Sequence, residues 1–285
     1  MPTPRLLNSL NDVAANYDAI LCDVWGVVHD GTKIFKPATD ALARFKATRG
    51  PVILVSNAPV PGHRVRTPIS RLGGTDDFYD GIVTSGDVTR AELKARAPGP
   101  AYRIGPAHDD ALFEDLGMKF ADLDKAAFIA CSAMNDDDDT PEDYRAVLTR
   151  AAARKLVFVS ANPDVVVKVG DKLYYCAGAL AKLYEELGGG PIIQAGKPYA
   201  PIYQAAMRKV EELAGPVPQN RVLTIGDSAA TDVRGANGQS FDNLFIAHGI
   251  HGHEFDVDGP LDVEALGELL EKSGVHTHYA MRELA

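Results

Sequence analysis

Four short polar clusters in this chain carry side chains of the types that handle phosphate. They are Asp23-Val24-Trp25-Gly26, Ser56-Asn57, Gly196-Lys197-Pro198 and Gly226-Asp227-Ser228, and Thr231-Asp232 follows closely behind the last one. Together they supply carboxylates, a hydroxyl, an amide and a lysine. Carboxylates bind Mg²⁺ and a lysine balances the charge of a phosphoryl group, so these residue types fit phosphoryl-transfer chemistry. Mg²⁺ is expected between Asp23 and Asp227.

Short apolar runs predict the strands that position these clusters. The runs cover residues 19–22, 52–55, 222–225 and 244–247, and they end at Asp23, Ser56, Gly226 and His248. Near-continuous apolar strands are typical of a parallel sheet that is buried on both faces. Helical patterns between the runs predict a doubly wound α/β core. In such sheets ligands bind beyond the carboxyl ends of the strands, so the clusters are expected to form one site.

Two segments between the strands show the apolar spacing of amphipathic helices. Residues 38–48 place Ala38, Leu42 and Phe45 on one face. Residues 199–213 do the same with Ile202, Ala206, Val210 and Leu213. Gly215 is expected to end this second helix. Pro198 is expected to begin it, which would put Lys197 at a helix N-terminus, a position favourable for anions.

The middle of the chain has strand-like runs of its own. They cover residues 101–104, 127–130 and 157–160, and residues 165–169 and 172–175 predict a hairpin with Gly170-Asp171 in its turn. These runs predict a second, smaller α/β unit inserted into the first. We place the core at residues 1–81 and 195–285 and the inserted unit at residues 82–194.

The bulk composition narrows the class of partner and the compartment. A formal net charge of -10 argues against a nucleic-acid partner, which usually needs a basic face, but not against a small phosphorylated metabolite. Three cysteines have no framework spacing, and Cys22, inside an apolar run, is expected to be a buried free thiol. The N-terminus has no signal-peptide core and no apolar stretch reaches membrane-span length. We expect a soluble, cytoplasmic protein.

The order of Asp23, Ser56, Lys197 and Asp227 resembles the motif order of the haloacid dehalogenase-like (HAD) phosphatase superfamily. The long insert between Ser56 and Lys197 resembles the class IIA branch, which includes nitrophenyl phosphatase-like enzymes and nucleotide- or sugar-phosphate phosphatases. The resemblance implies a Rossmann-like core with an inserted α/β cap domain. It also implies that the backbone carbonyl of Trp25 joins Asp23 and Asp227 as a ligand of Mg²⁺.

The resemblance gives each of these residues a role, and each residue also has a simpler interpretation. Asp23 would attack phosphorus and form an aspartyl-phosphate, or it caps the turn after a strand. Ser56 and Asn57 would donate hydrogen bonds to phosphate oxygens, or they form a turn. Lys197 would balance the charge of Asp23 and phosphate, or it is a surface lysine. Asp232 would support the metal site through hydrogen bonds, or it is an acid at a helix N-terminus.

Trp25 departs from the pattern of the superfamily. Hydrolytic members usually carry a second Asp there, which protonates the leaving group and then activates water, and Trp can do neither. Such acid–base help is typically worth about 10²–10⁴ in rate. The enzyme would then need good leaving groups, accumulate the phosphorylated Asp23, or take its proton from another residue. Alternatively, Trp25 forms an aromatic wall or a packing anchor.

Four histidines are candidates for the missing proton donor: His29, His248, His251 and His253. His248 and His251 are favoured among them, because His248 closes a predicted strand at the expected edge of the sheet. An ordinary mobile loop and a metal cluster of His248, His251 and His253 are the alternatives.

The segment Asn162-Pro163-Asp164 resembles one that class IIA members carry near the substrate. Asn162 and Asp164 could contact the leaving group, or the segment is a plain turn. Relatives of this class often pair through their caps, which implies a homodimer.

Of three functions, the sequence favours the first, a Mg²⁺-dependent phosphatase that acts on a small phosphate ester through a phosphorylated Asp23. The other two are alternatives. The second is a catalytically weak relative that binds a phosphometabolite or has a regulatory role. The third is a phosphotransferase, which passes the phosphoryl group to an acceptor other than water.

Overall fold

The protein divides into two compact units in a computed structural model that describes residues 3–169, 172–252, 255 and 261–285. The first unit comprises Met1–Ser56, Arg66–Val83 and Lys197–Ala285. The second comprises Asn57–Val65 and Thr84–Gly196. The roles of these units as catalytic core and cap stay predictions.

The strands of the described residues are short and are numbered in chain order. They are β1 (Arg5–Leu6), β2 (Ala19–Cys22), β3 (Val52–Ser56), β4 (Gly81–Thr84), β5 (Ala101–Ile104), β6 (Phe128–Cys131), β7 (Val157–Ser160), β8 (Val166–Val169), β9 (Lys172–Tyr175), β10 (Ile192–Gln194), β11 (Val222–Gly226), β12 (Asp242–Ile246) and β13 (Tyr279–Met281). The apolar runs recognised in the sequence therefore do form strands, to within two residues at each end.

The α-helices of the described residues lie between these strands. They are α1 (Asn11–Ala14), α2 (Lys36–Thr48), α3 (Gly62–Arg71), α4 (Ser85–Arg96), α5 (Arg145–Ala153), α6 (Ala177–Glu186), α7 (Ala200–Ala214), α8 (Arg234–Gly238) and α9 (Val263–Ser273). A π-helical turn, Ala229–Val233, leads into α8. Within the part of the chain that the structure describes, none of the helices is both long and apolar enough to span a bilayer.

The sheet of the first unit has the strand order β1-β13-β12-β11-β2-β3-β4. Strand β2 pairs in parallel with β3 on one side and with β11 on the other. The chain continues from β2 to β3 and β4 in one direction, and later builds outward through β11, β12 and β13 in the other. The strand order therefore reverses at β2, and such a switch point is where open α/β sheets bind ligands. The predicted doubly wound α/β fold is confirmed.

The central strands are buried because the sheet is covered on both faces. Every residue of β2, β3 and β11 is buried. Helix α2 buries Ala38, Leu42 and Phe45, as its spacing predicts. The free thiol of Cys22 is fully buried, and those of Cys131 and Cys176 are buried too.

Helix α7 differs from its prediction at its start and at one residue of its buried face. It begins at Ala200, so Pro198 does not begin it and Lys197 lies in the turn before it. The cause is Tyr199, whose extended backbone (φ -79°, ψ 147°) separates the turn from a helix that already has a proline in its first turn. Ile202, Ala206 and Val210 are buried, but Leu213 is 48% exposed, because the buried face ends one turn before the helix. Gly215 ends α7 with φ +77°, as expected.

The second unit has a parallel sheet of its own, with the order β10-β7-β6-β5. Helices α5 and α6 pack on this sheet through a buried cluster that includes Leu148, Phe158, Leu180 and Tyr184. Strands β8 and β9 form the predicted antiparallel hairpin. Its predicted turn, Gly170-Asp171, lies outside the described residues.

Candidate active site

The predicted site residues of the first unit lie at one edge of its sheet. Asp23 directly follows β2, Ser56 is the last residue of β3, and Asp227 directly follows β11. Since these three strands are parallel neighbours, their carboxyl ends meet at the same edge. The topology therefore brings together side chains that are more than 200 residues apart in the chain.

Lys197 lies between two carboxylates in the interior of the first unit. Its Nζ is 2.6 Å from Asp23 Oδ1 and 2.7 Å from Asp232 Oδ1. The lysine is only 4% exposed and both aspartates are buried, so these are not surface ion pairs. Burial by itself would lower the pKa of Lys197, but the two carboxylates outweigh it and hold that pKa well above its usual range. The ammonium group is therefore charged at neutral pH.

Three buried carboxylates lie close enough together to hold a cation. Asp23, Asp227 and Asp232 each offer an oxygen, and these oxygens lie within 4.8 Å of one another. Burial, reinforced by the charge of Asp232, raises the pKa of Asp23 well above its usual range and that of Asp227 to about 7. One lysine cannot neutralise three carboxylates, so the cluster carries excess negative charge when ionised. These hard oxygen donors fit Mg²⁺, which would remove that excess.

The backbone around Asp23 fixes the orientation of its side chain. The N–H of Val24 donates to Asp23 Oδ1 at 2.7 Å, so this oxygen accepts from both Val24 and Lys197. Apolar and aromatic side chains enclose the pair in a small cavity, whose lining includes Leu21, Val55, Tyr203 and Ile225. Such surroundings strengthen the attraction between the lysine and its carboxylates. No sequence pattern indicates that Tyr203 lies here.

Asp232 connects the lysine to the turn after β11. Its Oδ1 accepts from Lys197 Nζ, and its Oδ2 accepts from the N–H of Ser228 at 3.1 Å. The Ser228 hydroxyl in turn accepts from the N–H of Thr231 at 3.3 Å and caps the π-helical turn. Asp232 thus lies at a helical N-terminus and also pairs with Lys197. Its support of a metal site stays a prediction.

Contacts that sequence reasoning missed hold Asp227 in place. The N–H of Ile250 donates to Asp227 Oδ2 at 2.6 Å. The backbones of Gly26 and Gly249 approach the same carboxylate closely. The glycines are visible in the sequence, but their approach to Asp227 depends on the tertiary fold.

Asn57, Asn162 and Asp164 form a network within the second unit. The amide Nδ2 of Asn57 donates to Asp164 Oδ1 at 2.9 Å. The N–H of Asp164 donates to Asn162 Oδ1 at 2.9 Å, which is the hydrogen bond of an Asx turn. The turn interpretation of 162–164 is therefore visible in the structure. Contacts of Asn57 with phosphate, and of Asn162 and Asp164 with substrate, stay predictions.

Trp25 packs against a neutral histidine. The rings of Trp25 and His29 meet edge to face, with centroids 4.9 Å apart and planes at 75°. His29 is buried, and this burial lowers its pKa to about 4. The Nδ1 of His29 accepts from the N–H of Gly31 at 3.1 Å. His29 is therefore uncharged at neutral pH and gives Trp25 a packing partner.

Two other candidate histidines, His248 and His251, lie in the turn that follows β12. His248 Nδ1 is 3.6 Å from Glu283 Oε1, and its ring packs edge to face on Phe35. His251 Nε2 accepts from the N–H of Ala229 at 3.4 Å. His253 lies outside the described residues. The acid–base role of His248 or His251 stays a prediction.

Comparison with known families gives two consistent matches. A family model described as Haloacid dehalogenase-like hydrolase matches residues 20–119, which include Asp23 and Ser56. A second model, described as HAD-hydrolase-like, matches residues 194–260, which include Lys197 and Asp227.

Two solved structures share the whole architecture. A haloacid dehalogenase-like hydrolase of Brucella suis 1330 is 41% identical, covers 98% of this chain and 100% of its own, and superposes with a TM-score of 0.88. A possible sugar phosphatase of Cytophaga hutchinsonii is 17% identical, with 98% of each chain covered and a TM-score of 0.79, which shows a shared fold.

Among curated proteins, a D-glycerol 3-phosphate phosphatase of Mycobacterium tuberculosis is 25% identical over 250 residues. The match covers 85% of this chain but 66% of that relative, which is less than two thirds of its length.

Proposed function

The chain belongs to the haloacid dehalogenase-like hydrolases, and on this premise we propose that it is a Mg²⁺-dependent phosphatase that hydrolyses small phosphate esters through a phosphorylated Asp23. The observation that carries this proposal is the buried Lys197, whose Nζ lies 2.6 Å from Asp23 and 2.7 Å from Asp232, with Asp227 in the same carboxylate cluster. Burying this much charge lowers the stability of the folded protein. The binding of a cation and a phosphate would explain why the protein keeps such a cluster.

Asp23 is the proposed nucleophile. Its Oδ1 is held by Lys197 and Val24, so we assign the attack on phosphorus to Oδ2. The new Oδ2–P bond forms as the bond from phosphorus to the ester oxygen breaks, and the alcohol leaves as an alkoxide that takes a proton from solvent. Water then attacks the phosphorus and the Oδ2–P bond breaks, which restores the Asp23 carboxylate and releases phosphate that carries the protons of the water.

The remaining site residues hold the phosphoryl group. Ser56 and Asn57 donate hydrogen bonds to its oxygens, and Lys197 offsets their charge. Mg²⁺ would be held by Asp23, Asp227 and the carbonyl of Trp25, and it would offset the negative charge that develops on the phosphoryl oxygens. Asp232 keeps Lys197 in place through their 2.7 Å contact.

Trp25 limits the substrates that are turned over well. An indole neither protonates a leaving alkoxide nor activates water, so hydrolysis of poor leaving groups is slow. The same feature favours a second function, that of a weak catalyst which binds a phosphometabolite or transfers the phosphoryl group to another acceptor. The intact Asp23, Lys197 and Asp227 favour the phosphatase over this alternative.

The proposed substrate class is a small phosphorylated polyol or sugar. The named activity of the Mycobacterium tuberculosis relative, on D-glycerol 3-phosphate, supports this class. Buried free thiols support a reducing compartment such as the cytoplasm. Pairing of two copies through the second unit is proposed from the resemblance to class IIA alone.

Phosphate release from p-nitrophenyl phosphate tests the function, because this activated ester needs little acid catalysis. We expect Mg²⁺-dependent release by the full chain and its loss in Asp23→Asn. Asp18→Asn is a matched control, since Asp18 lies just before β2 and pairs with Arg221, at the end of the strand away from the site. No release by the unmodified protein at high concentration would favour the binding alternative. Full activity in Asp23→Asn would exclude the nucleophile.

A further inference from the structure

Two backbone segments enclose one oxygen of Asp227. Gly26, in the turn after β2, has φ +82°, and a Cβ built there would lie well inside van der Waals contact with Asp227 Oδ2. A Cβ built at Gly249, in the turn after β12, would overlap the same oxygen. Both positions therefore exclude a side chain, because Asp227 already occupies the space.

A hydrogen bond fixes the enclosed oxygen. The N–H of Ile250 donates to Asp227 Oδ2 at 2.6 Å. Strand β12 pairs in parallel with β11, so the turn carrying Gly249 and Ile250 starts at the same edge of the sheet as Asp227. Oδ2 thus meets the Gly249–Ile250 peptide on one side and the Gly26 backbone on the other.

We propose that Gly249 and Ile250 are positioning residues for the metal site, which hold Oδ2 of Asp227 and so direct Oδ1 toward a cation shared with Asp23. The absence of a side chain at 249 lets the peptide approach closely enough to donate this hydrogen bond. The part that concerns the cation rests on the proposed function. The part that concerns the orientation of Asp227 rests on the contacts alone.

The segment His248-Gly249-Ile250-His251 carries two histidines that the sequence predicts as proton donors. Between them, Gly249 and the backbone N–H of Ile250 lie against the Asp227 carboxylate. Hydrogen bonds to metal-binding carboxylates commonly tune the affinity for the metal, and their loss weakens metal binding by about 10–100-fold.

The experiment compares two glycines of the same turn. Gly249→Ala places a methyl group into Asp227, whereas Gly252→Ala is the matched control, because the nearest atom among the described residues would be the carbonyl oxygen of Ala247 at 3.8 Å. Neither glycine is among those with positive φ, so alanine suits both backbones. Binding of Mg²⁺ to the full-length protein is measured by calorimetry.

We expect about 10–100-fold weaker Mg²⁺ binding in Gly249→Ala and unchanged binding in Gly252→Ala. Unchanged binding in a folded Gly249→Ala protein overturns the inference. So does an equal loss in both variants, because that would show a general effect on the turn.

If Gly249→Ala is too unstable for titration, a double-mutant cycle with melting temperature as the readout tests the same inference. In an Asp227→Gly background the side-chain atoms that the new methyl group would meet are gone, so Gly249→Ala should lower Tm much less than in the unmodified protein. An equal loss of Tm in both backgrounds overturns the positioning role. If the unmodified protein binds no Mg²⁺, the proposed function fails, and the Tm cycle still decides whether Gly249 positions Asp227.

Discussion

Lys197 is the residue on which the buried charges of the site depend most. It is the partner of both Asp23 and Asp232, and all three side chains are almost completely buried. A lysine held in this way does more than attract phosphate, since its positive charge also offsets the charge of the two carboxylates that it contacts. Structural and chemical roles therefore coincide in one side chain.

Lys197→Met is expected to destabilise the protein by about 3–5 kcal/mol and to abolish phosphatase activity, because it leaves two buried carboxylates unpaired. Urea unfolding measures the first effect. Lys209→Met is the matched control: Lys209 pairs with Glu212 at 3.0 Å on an exposed surface, where such a pair is worth about 0–1 kcal/mol. Equal destabilisation by both changes would contradict the role of Lys197.

Trp25→Asp is expected to raise the hydrolysis of an alkyl phosphate, by up to about 10²–10⁴, because it restores a carboxyl group that can protonate the leaving oxygen. The gain should be much smaller for p-nitrophenyl phosphate, whose leaving group needs little protonation. Initial rates on both esters measure the effect, and Trp25→Asn separates acid catalysis from the loss of the contact with His29. Unchanged rates on the alkyl ester would mean that another group already supplies the proton.

At the scale of elements, strand β2 determines the position of the site. It lies between β3 and β11, and the turn that follows it carries Asp23, Trp25 and Gly26. The turn needs a residue with φ +82° and no side chain, which is why glycine stands at 26.

Gly26→Ala is expected to lose both stability and Mg²⁺ binding. Gly73→Ala is its matched control, because Gly73 has a similar φ of +86° but no atom of the described residues lies within 4 Å of the position of an added Cβ. Both variants bear the cost of a left-handed alanine, about 1 kcal/mol, but only Gly26→Ala also displaces Asp227. Unfolding and calorimetric titration of both proteins measure the difference, and equal Mg²⁺ affinities would contradict the role of Gly26.

Much of the fold could be predicted at this scale because buried parallel strands leave a clear apolar signal. The strands before Asp23, Ser56 and Asp227 were found, and the assignment to the haloacid dehalogenase-like hydrolases is confirmed. Strands β1, β4, β10 and β13 were missed, since each lies in an apolar run of only two or three residues. The predicted start of α7 was wrong. Two prolines, Pro198 and Pro201, lie near this start, and it is Pro201 that occupies the first turn of the helix.

The sequence could predict the site only where the type of a side chain indicates its chemistry. It predicted four site residues, Asp23, Lys197, Asp227 and Asp232, and the structure brings them together. The hydrogen bond from Ile250 comes from a backbone N–H, which every non-proline residue has, so no residue type indicates it. The Asn57–Asp164 contact joins positions 107 residues apart, and nothing in the local sequence specifies such a pairing.

The stability of the whole molecule is expected to depend on pH through Asp227. Burial, with help from Asp232, raises the pKa of this carboxyl to about 7, whereas an unfolded Asp titrates near about 3.9. Between about pH 4 and pH 7, the Asp227 carboxyl therefore keeps its proton in the folded protein and loses it in the unfolded chain. This contribution to stability is fully present below about pH 4 and disappears as the pH rises through about 7.

Melting temperatures between about pH 5 and pH 9 test this expectation. With a chelator present, Tm should fall across neutral pH, and Mg²⁺ should raise Tm most on the alkaline side, because a bound cation replaces the proton. Asp227→Asn should flatten the decrease. A decrease of the same size in that variant would assign the pH dependence to another group.

The route of the chain between its two units has a consequence for protein engineering. The chain passes from one unit to the other four times, between Ser56 and Asn57, Val65 and Arg66, Val83 and Thr84, and Gly196 and Lys197. A chimaera that replaces the second unit with one from a relative would therefore need four splice points. The first and the last of them lie at Ser56 and Lys197, which belong to the proposed phosphate-binding machinery, so the second unit cannot be exchanged as a single uninterrupted cassette.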